Sequence, residues 1–258
     1  MTTIATLREH LSRNRFMPVP PPELHYVGDG DYRAIGAEFL ERLVNDADLK
    51  PGDRVLDIGC GVGRLAMPLT QFLDAGTYDG LDPVGAGVAW CSRTITPVYP
   101  NMRFHHLDLR HSLYNPNGTL ETAKTTLPFA DGSFDLICMI SVLTHLEKPE
   151  ALHYAAEVAR LLAPGGRCFA TAFLLNPPAR AALQTGTAPL AFDPVEPGPL
   201  YFAYKEAPLA AVAFDEDVLL ELFLRHGLRR RNPARYGSWS GRQSDTFQDI
   251  GVFEKGAA

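Results

Sequence analysis

The stretch Val55-Leu56-Asp57-Ile58-Gly59-Cys60-Gly61-Val62-Gly63-Arg64 decides how the chain is read. An apolar, β-type run ends in an acid, and glycines then recur at every second position before a helical pattern begins. Glycine has no Cβ, so Gly59, Gly61 and Gly63 admit positive φ and let a ligand come close to the backbone. A helix starting near Gly63 would offer unpaired N–H groups and the positive end of its dipole. Asp57 argues against phosphate as the ligand, because a carboxylate there repels pyrophosphate but holds an ammonium group.

The dinucleotide fingerprint spaces its glycines G-x-G-x-x-G. Here the spacing is G-x-G-x-G, with Asp57 in front. In this the string resembles motif I of the class I S-adenosylmethionine (SAM) dependent methyltransferases. An ordinary tight βα turn and a nicotinamide enzyme are the competing readings. The resemblance implies SAM as cofactor, S-adenosylhomocysteine (SAH) as product, and Asp57, Gly59, Cys60, Gly61 and Gly63 as cofactor contacts. The fold expected is α/β, a doubly wound, Rossmann-like, seven-stranded sheet. A C-terminal antiparallel hairpin and a lid inserted after strand five complete it.

Successive strand ends supply further candidates. Thr77 to Asp82 reads as strand two, and Asp82 follows Asp57 by 25 positions, close to the spacing of a ribose-binding acid in a nucleoside-binding βαβ unit. Asp79 is its competitor but sits inside the strand. Pro83 follows, where an apolar side chain faces adenine. Met102 to Leu107 reads as strand three. The resemblance places Asp108 on the adenine amino group and the Leu109 backbone N–H on the ring. Strand four, Phe134 to Ile140, is a continuous apolar run of the kind buried in parallel sheets. Ser141 to Leu146 beyond it borders the crevice. His145 is the candidate general base, weighed against a packing histidine; His105, His106, His111 and Glu147 are lesser candidates.

The flanks are read as residues 1–50, an N-terminal helical and loop cap, and 51–258, the methyltransferase domain. Ala37 to Leu49 has helical apolar spacing. Before it, the turn-rich segment Glu23 to Tyr32 is either a surface loop or a flap in which Tyr26 or Tyr32 covers the cofactor. Pro149 to Leu162 reads as an amphipathic helix stopped by Pro164-Gly165-Gly166. Leu174 to Phe214 is rich in proline and aromatic residues. Long irregular insertions are functional or disordered, and the aromatics favour a substrate lid with no core of its own. Leu228 to Tyr236 and Thr246 to Glu254 read as the closing hairpin. The loop Gly237-Ser238-Trp239-Ser240-Gly241-Arg242, with Gln248-Asp249, resembles the ending of a bacterial small-molecule and sugar subset of the same family. Tyr32, Trp239 and Arg242 are therefore candidate substrate contacts.

The net charge of −6 disfavours a nucleic-acid acceptor held by bulk electrostatics. No run reaches the roughly 18 apolar residues of a membrane span, and Met1 to Arg15 lacks the apolar core of a signal peptide. Cys60, Cys91, Cys138 and Cys168 form no C-x-x-C pair and read as free thiols of a cytoplasmic protein. Ser141, with no acid pair after it, predicts no metal. The expected function is SAM-dependent methyl transfer to a small-molecule or sugar acceptor, at oxygen. N- or C-methyl transfer, or a non-catalytic SAM-binding subunit, are the alternatives.

Overall fold

The computed structural model describes residues 3–24, 26, 28, 30–194 and 200–256. His25, Val27 and Asp29 of the turn-rich segment, and residues 195–199 of the insertion with Pro197 and Pro199, lie outside the described residues. Helix α1 (Ile4–Arg13) opens at Thr3, whose hydroxyl accepts from the Thr6 N–H. Helix α2 (Tyr32–Ala47) opens at Asp31, whose carboxylate accepts from the Ala34 N–H at 2.7 Å. This cap starts α2 at Tyr32, ahead of the apolar spacing that begins at Ala37.

Strand β1 (Arg54–Ile58) is followed by α3 (Ala66–Leu69), β2 (Thr77–Asp82), α4 (Gly85–Thr94), β3 (Met102–His106), β4 (Phe134–Met139), α5 (Lys148–Leu161) and β5 (Leu162–Leu175). These strands pair in parallel in the order β3-β2-β1-β4-β5. Strand residues alternate between two apolar layers, as the period of two requires. Leu56 and Ile58 join Tyr154, Val158, Leu219 and Phe223 on one face. Val55 joins Leu11, Leu40, Leu69 and Ile95 on the other.

The helix after the glycine turn is shorter than the expected Leu65 to Leu73. Pro68 has no N–H to give to the Arg64 carbonyl, and only Ala66–Leu69 is α-helical. Packing here is close: a Cβ at Gly36 of α2 would stand 2.3 Å from the Arg64 oxygen, so the helix and the turn touch only because residue 36 is glycine.

The chain continues through α6 (Pro177–Thr185), β6 (Asp193–Pro194), β7 (Leu200–Phe202), β8 (Val212–Asp215), α7 (Glu216–Leu224), β9 (Leu228–Arg230) and β10 (Asp249–Lys255). The expected hairpin is β9 with β10, which runs antiparallel to β5 from Asp249↔Ala172 to Glu254↔Arg167. Among the described residues the sheet has ten strands rather than seven, because the insertion contributes β6, β7 and β8. Strand β8 pairs in parallel with the last residues of β5, and β7 pairs antiparallel with β8. Regular structure in this proline-rich region has local causes. Asn176 caps α6, Pro177 and Pro178 take its first positions, where a missing N–H costs least, and Gly186 ends it at φ 68°. Its apolar side chains, among them Phe192 and Ala213, share a cluster with Phe173 of β5 and with Trp239.

Asp249 ties these parts together. Its buried carboxylate accepts from the Leu174 N–H at 2.7 Å, the Gly237 N–H at 2.7 Å and Trp239 Nε1 at 2.8 Å. Three arginines of the last third are in ion pairs: Arg225 with Glu221, Arg230 with Glu216, and Arg235 with Asp46 and Asp245. Among the described residues no helix is long and apolar enough to cross a membrane. Replacing Asp249 by alanine leaves three buried donors without an acceptor. Urea denaturation of the Asp249→Ala variant is expected to show a loss of about 3 kcal/mol or more.

Candidate active site

The carboxyl ends of β1, β2 and β4 meet at the point where the strand order reverses, the place where open α/β sheets bind ligands. A cavity of about 360 Å³ lies there, at the lower end of the range for small-molecule sites. Asp57, Gly59, Cys60, Gly61, Asp82, Pro83, Leu109, Ser141 and His145, all expected from the sequence, line it.

The glycine turn is fastened to β2. Gly59 and Cys60 donate their N–H groups to the Leu81 carbonyl at 2.8 and 3.1 Å, and Gly61 donates its own to Asp82 Oδ2 at 2.7 Å. Asp82 Oδ1 accepts from the Val84 N–H at 2.8 Å and the Tyr26 hydroxyl at 3.3 Å. Gly59 has φ 77°, and a Cβ there would lie 2.6 Å from Val142, so a side chain would close the approach to the backbone. Asp57 is buried and accepts from the Tyr78 hydroxyl at 2.7 Å. Burial pushes its carboxyl up to about 7, against the pull of that hydrogen bond, and the nearby Asp82 adds to the rise. Burial raises Asp82 as well, opposed by the donors it accepts from.

Two expected contacts stand elsewhere. Gly63 does not line the cavity; a Cβ on it would meet Cys91 Sγ at 2.9 Å, so its φ of 72° serves the packing of the turn on α4. The Asp108 carboxylate does not reach the cavity either. It accepts from Asn115 Nδ2 at 2.9 Å and from the Thr119 hydroxyl at 2.7 Å, and these bonds hold it below the usual carboxylate range. Its carboxylate therefore organises its own loop, and only Leu109 next to it borders the cavity.

At the end of β4, Ser141 takes φ 58°, an uncommon conformation for a residue with a side chain. Its N–H donates to Thr171 Oγ1 at 2.7 Å, and its hydroxyl donates to Gln248 Oε1 at 3.0 Å. Thr171 donates to the same Gln248 oxygen at 2.5 Å. The strained position is thus held by side chains of β5 and of the residue before β10.

His145, a candidate base, has a ring nitrogen turned to the hydroxyl of the cavity-lining Tyr114. Its Nδ1 lies 2.8 Å from the Leu209 carbonyl, which can only accept, so Nδ1 carries the proton. Burial lowers its pKa, with His111 adding and the Leu209 bond opposing. The neutral ring then has a bare Nε2, which accepts from the Tyr114 hydroxyl at 3.1 Å. Tyr114 stands edge-on to the imidazole with centroids 5.2 Å apart. His111 also lines the cavity, but both of its nitrogens are engaged: Nε2 with the His145 carbonyl at 2.8 Å, and Nδ1 with the N–H groups of Leu113 and Tyr114. His105 is bound to Asp79 and His106 to the Pro83 carbonyl. Glu147 caps α5.

The three proposed substrate contacts lie outside the cavity lining. Tyr32 is buried at the start of α2 and donates to the Val62 carbonyl at 2.9 Å. Trp239 is fully buried on Asp249. The Arg242 guanidinium lies 4.2 Å over the Tyr236 ring and donates to Asn176 at 2.6 Å. The G-x-W-x-G loop is therefore scaffolding for β5 and α6. Tyr114 and Gln248 take places that the sequence reading did not assign. Tyr114 sits in a turn without periodicity, and Gln248 stood out only as part of Gln248-Asp249.

Residues 55–166 match the family of methyltransferase domains. A 27-O-demethylrifamycin SV methyltransferase of Amycolatopsis mediterranei is 30% identical, over 54% of this chain and 45% of its own length. A phthiotriol/phenolphthiotriol dimycocerosates methyltransferase of Mycobacterium ulcerans is 35% identical, over 45% of this chain and 35% of its own. The chain thus spans less than half the length of these relatives. A SAM-dependent methyltransferase structure from Methanosarcina mazei superposes with TM-score 0.57 at 20% identity, over 81% of this chain and 95% of that one. Residues 55–166 are thus similar to methyltransferase domains, and the chain shares the fold of that SAM-dependent methyltransferase structure. The cavity brings two buried acids, Asp57 and Asp82, beside glycine backbone that is open to close approach.

The geometry of His145 predicts a single neutral tautomer. Nitrogen-15 NMR of histidine-labelled protein is expected to show Nδ1 protonated at pH 7 and titration below the ordinary value of about 6.5.

Proposed function

We propose that the protein transfers a methyl group from SAM to a hydroxyl oxygen of a small-molecule or sugar acceptor, with His145 as general base. The observation that carries this reading is the bare Nε2 of His145, which already accepts from an O–H group inside the cavity. SAM supplies the methyl group, and its sulfur keeps the pair of the broken bond. As the acceptor oxygen bonds to the methyl carbon, its proton passes to Nε2, while the Leu209 carbonyl steadies the imidazolium that forms through Nδ1.

Asp82 accepts from the ribose hydroxyls, Asp57 faces the cofactor ammonium, and Pro83 and the Leu109 backbone border the adenine. Ser141 holds the turn between cofactor and acceptor. The 174–214 insertion serves as the substrate lid, which fits its hold on His145 through Leu209. Residues 1–50 act as a cap. The net charge of −6 supports a small molecule over a nucleic acid as acceptor. The four free, buried cysteines support a cytoplasmic setting.

Calorimetry with SAH tests the cofactor assignment. Asp82→Ala is expected to weaken SAH about 100-fold, the loss of hydrogen bonds to a charged acceptor. Binding that is unchanged would remove Asp82 from the site.

Asp57 adds a pH dependence. A cofactor ammonium favours the ionised carboxylate, and free Asp57 ionises near 7. SAH affinity is therefore expected to rise from pH 6 to 8 and then level off, and Asp57→Asn to flatten that rise.

Transfer from methyl-labelled SAM to a panel of phenols, alcohols and sugars tests the chemistry. His145→Ala is expected to lower kcat by about 10²- to 10⁴-fold while SAH still binds. Preferred transfer to amines at an undiminished rate in that variant would favour nitrogen instead.

A further inference from the structure

Among the described residues, three donors converge on the Asp82 carboxylate. Two are the backbone N–H groups of Gly61 and Val84, which belong to the turns around the site. The third is the Tyr26 hydroxyl, at 3.3 Å from Oδ1, on a side chain that comes from a different part of the chain, ahead of α2. Tyr26 lines the same cavity as Asp82.

The phenol has a seat of its own. A Cβ built on Gly87 of α4 would lie 2.4 Å from the Tyr26 oxygen and 3.3 Å from its Cζ, so the missing side chain of residue 87 leaves the notch that the hydroxyl occupies. Nearby, Arg64 Nη2 donates to the Gly28 carbonyl at 2.8 Å and ties the same segment to the glycine turn. Burial, reinforced by Asp82, raises the Tyr26 pKa, so its oxygen stays a donor.

A carboxylate offers about four acceptor positions. With two taken by backbone, a ribose diol needs the remaining two, and Tyr26 holds one of them. We infer that Tyr26 is a built-in substitute for a ribose hydroxyl: it satisfies Asp82 in the ligand-free protein and must give up that position when the cofactor binds. The inference rests on the assignment of Asp82 to the ribose. Exchange of one O–H donor for another keeps the buried acid satisfied at every stage, which avoids the cost of a bare buried carboxylate. It also makes Tyr26 the residue that sets cofactor affinity and rate of entry. Tyr114 stands in the same relation to His145 Nε2, with its ring centroid 6.3 Å from that of Tyr26, so these two acceptors are covered by neighbouring phenols.

Calorimetry and stopped-flow binding of SAH to the full-length wild type and Tyr26→Phe test this. Phenylalanine keeps the ring and its packing and removes only the hydroxyl. The expected result is about tenfold tighter SAH binding in Tyr26→Phe, with faster association. The gain should vanish when both proteins also carry Asp82→Ala, because the two residues then no longer share an interaction. Intact wild-type binding that is unchanged or weaker in Tyr26→Phe overturns the inference and leaves the cofactor assignment standing. Absence of SAH binding in both proteins overturns the two together.

Discussion

The site depends on a chain turn that spends its N–H groups on the neighbouring strand. Gly59 and Cys60 donate to the Leu81 carbonyl, and Gly61 donates to Asp82. These bonds hold the end of β1 against the end of β2 and bring Asp57 and Asp82 to one cavity. Both acids are buried and raised by that burial. The ligand-free protein therefore carries charge-bearing groups whose partners are hydroxyls and backbone amides. A ligand with an ammonium group and a diol relieves both at once. The helix that follows the turn is one short segment, so anchoring by amides, rather than a long helix dipole, defines the pocket floor.

Much of this was legible in local sequence. The β1 run, the alternate glycines, the acid that ends β2 and the apolar β4 are patterns within a few residues of one another, and the structure has the strands close to where the patterns lie. The antiparallel pairing of β9 with β10 also followed from the last two β-type runs. These features depend on covalent neighbours and on burial periodicity, which a single sequence displays directly.

What escaped depends on partners distant in the chain. Asp108 occupies a strand-end position that suits a ligand contact, but Asn115 and Thr119 claim its carboxylate. Trp239 and Arg242 carry the residue types of a binding loop, yet Asp249 and Asn176 draw them into the scaffold. Tyr114 shows the reverse. It lies in a turn with no period to mark it, and a bridge between His111 and Asn115 swings it to His145. Strand β8 of the insertion likewise pairs with the far end of β5, which no local pattern announces.

The bond between Leu209 and His145 is made by a main-chain oxygen. Any amino acid at position 209 that keeps the same backbone path presents the same carbonyl. The side chain at position 209 is thus free to change, while the imidazole stays tethered by a group that such a mutation does not alter. An exchange of this segment between related proteins would succeed or fail on the path of its backbone, and a comparison of sequences alone would not reveal the difference.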